Sequence, residues 1–136
     1  MPNNSNFRVS SPAQMHKPNG YSHVVEITSG KMIYISGQVA LDASGNIVGQ
    51  GDYRAQIQQV FRNLKTALEA AGASFQNVVK LNYYVVDTVE AAEFFAYREV
   101  RDQYVDTANP PVATVLVIRR LFRPELLIEI EAVAVV

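Results

Sequence analysis

Hydrophobic and polar residues recur along the chain with two periods, which predict where helices and strands form. The clearest helical pattern covers residues 53–71, where apolar side chains recur every three or four positions and Gly72 follows as a left-handed cap. A second helix is predicted from Asp87, which precedes Glu90 at the spacing of a capping box, to about Tyr104. The side chains expected to face the core are Ile57, Val60, Phe61, Leu64, Leu68 and Ala71 in the first helix and Ala91, Phe94, Phe95 and Val100 in the second.

Short stretches rich in β-branched residues predict strands. Two of them, residues 23–28 and 32–36, flank Ser29-Gly30 and are expected to pair as a hairpin. Further strands are predicted over residues 47–48, 78–86, 113–119 and 127–135. Because helices are inserted between strands, we expect an α+β domain with one sheet and two helices packed on one face.

The last two strands are apolar on both faces, over residues 115–118 and 130–136. An antiparallel sheet with one face in water normally alternates apolar and polar residues, and two helices cover only one face. The pattern therefore predicts that the second face meets another subunit. The alternative is a monomer whose leader folds over this face. Residues 1–18, rich in Pro, Asn and Ser, are predicted to be that irregular leader, and residues 19–136 the domain.

Composition narrows the classes of function. The 136 residues suffice for one domain, and 12 basic against 13 acidic residues argue against a dedicated nucleic-acid binder. Without cysteine, disulfides, thiol nucleophiles and thiolate metal sites are excluded. The two histidines, His16 and His23, lack the spacing of metal ligands, so no metal site is expected. The sequence shows neither a secretory signal nor an apolar run near the roughly 20 residues that cross a bilayer, so a cytoplasmic location is expected.

Two carboxylates in the last strand are the strongest candidates for chemistry. Glu129 and Glu131 share one face of an otherwise apolar strand. Carboxylates in such a strand are costly unless they are paired, hydrogen-bonded or wetted in a cleft. One of them can be a general base with a raised pKa. The pattern alone favours the other interpretation, a cross-strand or intersubunit salt bridge with Arg119 or Arg120.

Several segments, taken in order, resemble the RidA family, also called the YjgF family, over about residues 18–136. Each segment is weak alone, and their order and spacing carry the resemblance. It implies a chorismate-mutase-like α+β fold, a homotrimer with small-molecule sites in clefts between subunits, and no cofactor. The matching segments are Gly20-Tyr21-Ser22, Ile35-Ser36-Gly37-Gln38, Glu69-Ala70-Ala71-Gly72, Val78-Val79-Lys80 with Asp87, and Ile128-Glu129-Ile130-Glu131-Ala132-Val133-Ala134-Val135.

The resemblance also implies an activity, because active members hydrolyse reactive enamines or imines from amino-acid metabolism to a 2-oxo acid and ammonia. Glu129 matches the glutamate that positions or activates water, and Tyr21 matches a tyrosine that lines the cleft. Gly37 lies in a turn beside the site and would let the backbone approach the ligand. Tyr97 takes the place of an asparagine on the second helix. The expected substrate contacts are Tyr21, Ser36, Gly37, Gln38, Tyr97, Ala113 and Thr114.

Ala113 is the position where the chain departs from the family. The family's Pro-Ala-Arg reads Pro111-Val112-Ala113 here, so alanine stands where an arginine grips the substrate carboxylate. Arg119 shares a strand face with Ala113 but lies six residues, or roughly 20 Å, away. Arg98, Arg101 or an arginine of a neighbouring subunit remain as alternative anchors.

Three functions follow as hypotheses. The first is a RidA-like hydrolase for a less acidic or larger imine or enamine, with little or no activity on 2-iminopropanoate, because losing a bidentate anchor costs on the order of 2 to 5 kcal/mol. The second is a non-catalytic trimer that binds or senses a small molecule. The third, an endoribonuclease or translation inhibitor, is disfavoured by a net charge of -1. Neither a nucleic acid nor a membrane is an expected partner.

Overall fold

A computed structural model describes residues 6–136 of the chain and shows two β-sheets and two α-helices in that part. Within it, no helix has the length and apolar character needed to cross a membrane. Short 3-10 turns at Phe75–Asn77 and Phe94–Ala96 precede the fourth strand and the second helix. In chain order the elements are β1 (Phe7–Ser10), β2 (Val24–Ile27), β3 (Met32–Gln38), α1 (Tyr53–Ala70), β4 (Val78–Val86), α2 (Tyr97–Asp102), β5 (Val112–Ile118) and β6 (Ile128–Val135).

The main sheet has four strands in the order β3-β6-β4-β5. The β4–β5 pair is parallel, because the connection between them crosses the sheet through α2, while the β3–β6 and β6–β4 pairs are antiparallel. Strands β1 and β2 form a separate antiparallel pair. The predicted α+β class with a helical layer is confirmed, and the small second sheet is an addition to it.

Helix α1 packs its apolar stripe against the centre of the main sheet, as its period predicts. Its buried residues contact a core that includes Leu81 and Tyr83 of β4 and Ile130 of β6. Asp52 caps the helix by accepting a hydrogen bond from the Ala55 N–H at 3.0 Å. The expected helix is confirmed to within one residue of its predicted end. The residues of α1 in this core are Tyr53, Ile57, Val60, Phe61, Leu64 and Leu68.

The predicted first hairpin is wrong. Strand β2 pairs with β1 instead, and β3 pairs with β6, so the two segments on either side of Ser29-Gly30 belong to different sheets. The prediction of an irregular leader is also wrong at Phe7–Ser10, while residues 1–5 lie outside the described part. A turn signal identifies where a chain reverses, but it does not show which strand supplies the hydrogen-bonding partner. Residues 47–48 likewise form only an isolated bridge between Leu41 and Ile47.

The second helix is much shorter than its capping pattern predicts. The Asp87 N–H donates to the Ile118 carbonyl at 2.8 Å, which extends the β4–β5 pairing, so Asp87 begins no helix. Turns and a 3-10 turn fill residues 88–96, and α2 begins at Tyr97. Val100 is buried and Phe94 half-buried as expected, whereas Ala91 and Phe95 are exposed.

Candidate functional site

Glu131 is held as an ionised carboxylate on the face of the sheet that the helices leave uncovered. It lies between buried Ile130 and Ala132, whose side chains face the helices, so its own side chain faces the opposite way. Its Oε1 accepts hydrogen bonds from Asn82 Nδ2 at 2.9 Å and from the Tyr84 hydroxyl at 2.8 Å, both on β4. These two hydrogen bonds, of which that from Asn82 has the larger effect, lower the pKa of Glu131 below its ordinary value.

Glu129 lies on the same face in a contrasting environment. It is half-buried, and its carboxylate makes no hydrogen bond or ion pair within residues 6–136. Burial, and secondarily the negative charge of Glu131, raises the pKa of Glu129 above its ordinary value. Two neighbouring carboxylates with pKa values moved in opposite directions can divide acid–base roles between them. The salt bridge with Arg119 or Arg120 that the strand pattern favoured does not form within the chain.

The turn at Ser36-Gly37-Gln38 is a bulge in β3 that faces Glu129. The register with β6 shifts between Ile35 and Gln38, and Gln38 Nε2 donates to the Ser36 carbonyl at 3.0 Å. The Glu129 side chain lies against Gly37, where a β-carbon would stand 2.8 Å from Glu129 Cδ. The structure therefore brings Gly37 against Glu129, with the other two expected contacts of this turn, Ser36 and Gln38, as its chain neighbours.

The other four expected contacts lie together on the opposite side of the sheet. A cavity of about 340 Å³ at the β5 edge is lined by Tyr21, Tyr97, Ala113 and Thr114, with further residues from β4, α2 and the loop before β2. Arg98 and Arg101, the alternative anchors, both line this cavity. Its full lining is Asn19, Tyr21, Tyr83, Tyr97, Arg98, Arg101, Ala113, Thr114 and Val115.

The two groups of residues do not meet within one chain. Ala113 pairs with Leu81, whose side chain is buried under the helices, whereas Glu129 pairs with Tyr84 on the uncovered face. Strand β4 also separates β5 from β6, which adds two strand spacings of about 4.8 Å each. A ligand bound to a single chain would therefore contact only one of the two groups.

The loop that carries Tyr21 is fixed by two histidines and by the proline break before β5. His16 Nε2 lies 2.6 Å from the Tyr21 hydroxyl, and His23 Nε2 lies 2.8 Å from the His16 carbonyl. Ser22 Oγ donates to the Pro110 carbonyl at 2.6 Å. The histidines thus position Tyr21, and in the described part of the chain no cluster of His, Asp and Glu is arranged to hold a metal ion.

Sequence reasoning missed three polar residues of these two groups. Asn82 and Tyr84 donate to Glu131, and Tyr83 extends into the cavity beside Ala113. All three belong to one run of β4, Asn82-Tyr83-Tyr84, whose polar atoms are unusual for a central strand. That run was the available signal, because a buried strand carries hydroxyl and amide groups only where they find partners.

Comparisons with known proteins agree with this fold. Residues 12–136 match the family model described as endoribonuclease L-PSP. A solved structure of the conserved Rid protein family member YyfB from Yersinia pestis, of unknown function, is 42% identical, with a TM-score of 0.89 over 96% of this chain and 99% of that one. A RutC family protein of Pyrococcus abyssi is 34% identical, covering 87% of this chain and 88% of its own length. A 2-iminobutanoate/2-iminopropanoate deaminase of Dermatophagoides farinae is 30% identical, covering 79% and 80%.

Proposed function

The chain belongs to the endoribonuclease L-PSP family, which includes the Rid and RutC proteins, and on that premise we propose that it hydrolyses reactive imines or enamines to a carbonyl compound and ammonia. The observation that carries the proposal is the Glu129–Glu131 pair. One carboxylate is hydrogen-bonded and ionised, and its neighbour is half-buried, unpaired and raised in pKa. The similarity to an imine deaminase supports the choice of reaction class.

Glu129 acts in this proposal as the group that moves protons to and from water. It accepts a proton from water as the water oxygen bonds to the carbon of the imine in its protonated, iminium form, and the C=N electron pair goes to the nitrogen. Glu129 then returns this proton to the nitrogen of the carbinolamine, and it takes the hydroxyl proton as the C–N bond breaks, the C=O bond forms and ammonia leaves. A carboxyl group with a raised pKa suits both directions of transfer near neutral pH.

The proposed site is complete only in a homotrimer, whose clefts join the Glu129 face of one chain to the cavity of its neighbour. Strand β5 supports this assembly, because it is a sheet edge that exposes apolar side chains. Leu116 is 48% exposed and Val117 is 61% exposed. An exposed apolar edge strand tends to associate with another chain.

Ribonucleolysis, which the name of the family model suggests, is the weaker candidate. The basic residues outside the helices concentrate in the turn after β5, at Arg119, Arg120 and Arg123. Arg120 donates to the Leu121 carbonyl at 3.1 Å, and Arg123 donates to the Gly45 carbonyl at 3.4 Å. Two of the three guanidinium groups therefore already donate to backbone carbonyls, and the net charge of -1 adds no general attraction for phosphates.

An imine-hydrolysis assay tests the proposal. An amino-acid oxidase generates imines in situ from alanine, leucine and phenylalanine, and the rate of 2-oxo acid formation above the spontaneous rate is measured. We expect acceleration with the larger imines, and a loss of at least tenfold in Glu129→Gln. Glu69→Gln, an exposed carboxylate on α1, is the matched control. Acceleration that survives Glu129→Gln refutes the role of Glu129, and no acceleration with any imine favours the non-catalytic binding trimer.

A further inference from the structure

The cavity beside Ala113 contains a buried hydroxyl without a partner. Tyr83 is only 1% exposed, its ring packs 4.7 Å from that of Tyr97, and its hydroxyl makes no hydrogen bond within the described residues. Burial raises the pKa of this hydroxyl, so it remains a donor at neutral pH. Native proteins pair nearly all such groups, and an unpaired one in a cavity points to a ligand or water that it serves.

Two guanidinium groups with spare donors line the same cavity. Arg101 is 5% exposed, and its only hydrogen bond within residues 6–136 runs from Nε to Asp102 Oδ1 at 2.9 Å. Its remaining N–H groups lie under Gly20, where a β-carbon would stand 2.8 Å from Nη1. The Arg98 guanidinium carbon lies 3.9 Å from the centre of the Phe95 ring, and its Nε is buried without a partner.

The rest of the cavity wall carries no charge and is largely aromatic or aliphatic. Tyr21 and Tyr97 contribute ring surfaces, and Ala113 leaves open the space that a longer side chain would fill. Arg101 pairs with the carboxylate of Asp102, whereas Arg98 makes no ion pair within the described residues, so the cavity keeps an excess positive charge. A guanidinium fork and a hydroxyl donor together match the two oxygens of a carboxylate.

We propose that this cavity binds a carboxylic acid with a planar apolar body, its carboxylate held by Arg101 and Tyr83 and its body lying against Tyr97 over Ala113. Helix α2 thereby supplies the anchor that position 113 lacks. The inference rests on the proposed function in one respect, that the acid occupies the same cleft in which an imine would react. The Arg101 anchor favours substrates larger than three-carbon acids. It lies beneath the loop at Gly20 rather than on β5, so the body of the ligand must extend from there along Tyr97 and over Ala113.

Binding of phenylacetate and of its neutral analogue phenylacetamide to the assembled protein, measured by calorimetry, tests this. We expect phenylacetate to bind at least tenfold more tightly than phenylacetamide. Arg101→Gln should weaken phenylacetate binding at least tenfold, and Arg98→Gln more modestly. Tyr83→Phe should weaken it about threefold without lowering the melting temperature, since it removes only an unpaired hydroxyl. Arg62→Gln, exposed on α1, is the control that should change nothing.

Three results would overturn the inference: no phenylacetate binding, equal binding of acid and amide, or unchanged binding in both Tyr83→Phe and Arg98→Gln. The last two variants keep the test decisive if Arg101→Gln fails to fold. Performing the titrations also in the Glu129→Gln background separates the two proposals. Binding retained there without turnover supports the anchor whatever the outcome for hydrolysis, and turnover without acid binding supports hydrolysis alone.

Discussion

The carboxylate of Glu129 lies directly against the α-carbon of Gly37, on the bulge where β3 shifts its register with β6. A β-carbon at residue 37 would overlap Oε1, so any other residue there must displace the carboxylate. Gly37 does not adopt a positive φ, and the requirement for glycine at this position is therefore one of space, imposed by Glu129.

Gly37→Ala is expected to affect the site more than the fold. The displaced atoms are the end of a flexible side chain, so we expect the free energy of unfolding to fall by less than about 1.5 kcal/mol. Imine hydrolysis should fall at least tenfold, because the carboxylate leaves its position. Chemical denaturation and the oxidase-coupled assay give the two values, with Ser44→Ala, at an exposed position away from both groups of site residues, as the control. A large loss of stability with unchanged specific activity would contradict the positioning role.

Replacing each glutamate of the pair by glutamine should change stability with opposite dependence on pH. The raised pKa of Glu129 means that its ionised form is disfavoured in the folded state. The stability that the protonated carboxyl group contributes at low pH is therefore lost as the pH rises through the folded-state pKa. The melting temperature of Glu129→Gln minus that of the wild type should therefore be higher at pH 7 than at pH 3.5. The pKa of Glu131 is lowered, so its ionised form stabilises the fold and the pH dependence is the opposite. The melting temperature of Glu131→Gln minus that of the wild type should be lower at pH 7 than at pH 3.5. Melting curves of each variant and of the wild type at the two pH values test this prediction. It would be refuted if the difference in melting temperature changed in the same direction with pH for both variants.

The sequence predicts the helical layer better than it predicts strand pairing. The period of α1 survives because one apolar stripe packs on one sheet, whatever the order of the strands. The partner of β2 depends on Phe7–Ser10, a strand too short and polar to be distinguished from an irregular leader. Helix α2 starts late because the Asp87 N–H pairs with Ile118, a contact made across 31 positions of sequence that no local capping pattern reveals.

The same limit applies to the site. The resemblance to the family names residues from both groups, yet it cannot show that Glu129 and Ala113 face opposite sides of one sheet. That separation follows from the strand order β6-β4-β5, which is a long-range property. The sequence leaves Arg98, Arg101 and an arginine of a neighbouring subunit as equal alternatives, and only the position of α2 shows that Arg98 and Arg101 line the cavity.

The exposed β5 edge should be buried by assembly. Light scattering at micromolar concentration is expected to give about three times the chain mass of 15.1 kDa. Val117→Lys places a charge at the most exposed apolar position of β5 and should dissociate the protein, with a matching loss of hydrolysis because the two halves of the site separate. Thr66→Lys, exposed on α1, is the control. A mass near one chain for the wild type would refute the trimer.

Ala113→Arg should convert the protein toward a three-carbon substrate. An arginine at position 113 would extend from β5 into the cavity and offer a bidentate anchor for a small carboxylate, at the place where the family resemblance puts one. We expect the wild type to accelerate hydrolysis of 2-iminopropanoate little and Ala113→Arg to gain at least tenfold, while phenylacetate binding falls because the added side chain fills the cavity. Ala113→Met, similar in length but uncharged, should lose phenylacetate binding without the gain. Equal activity of the wild type and Ala113→Arg on this imine would mean that another arginine already serves small acids, and no gain in Ala113→Arg would mean that position 113 does not face the reacting group.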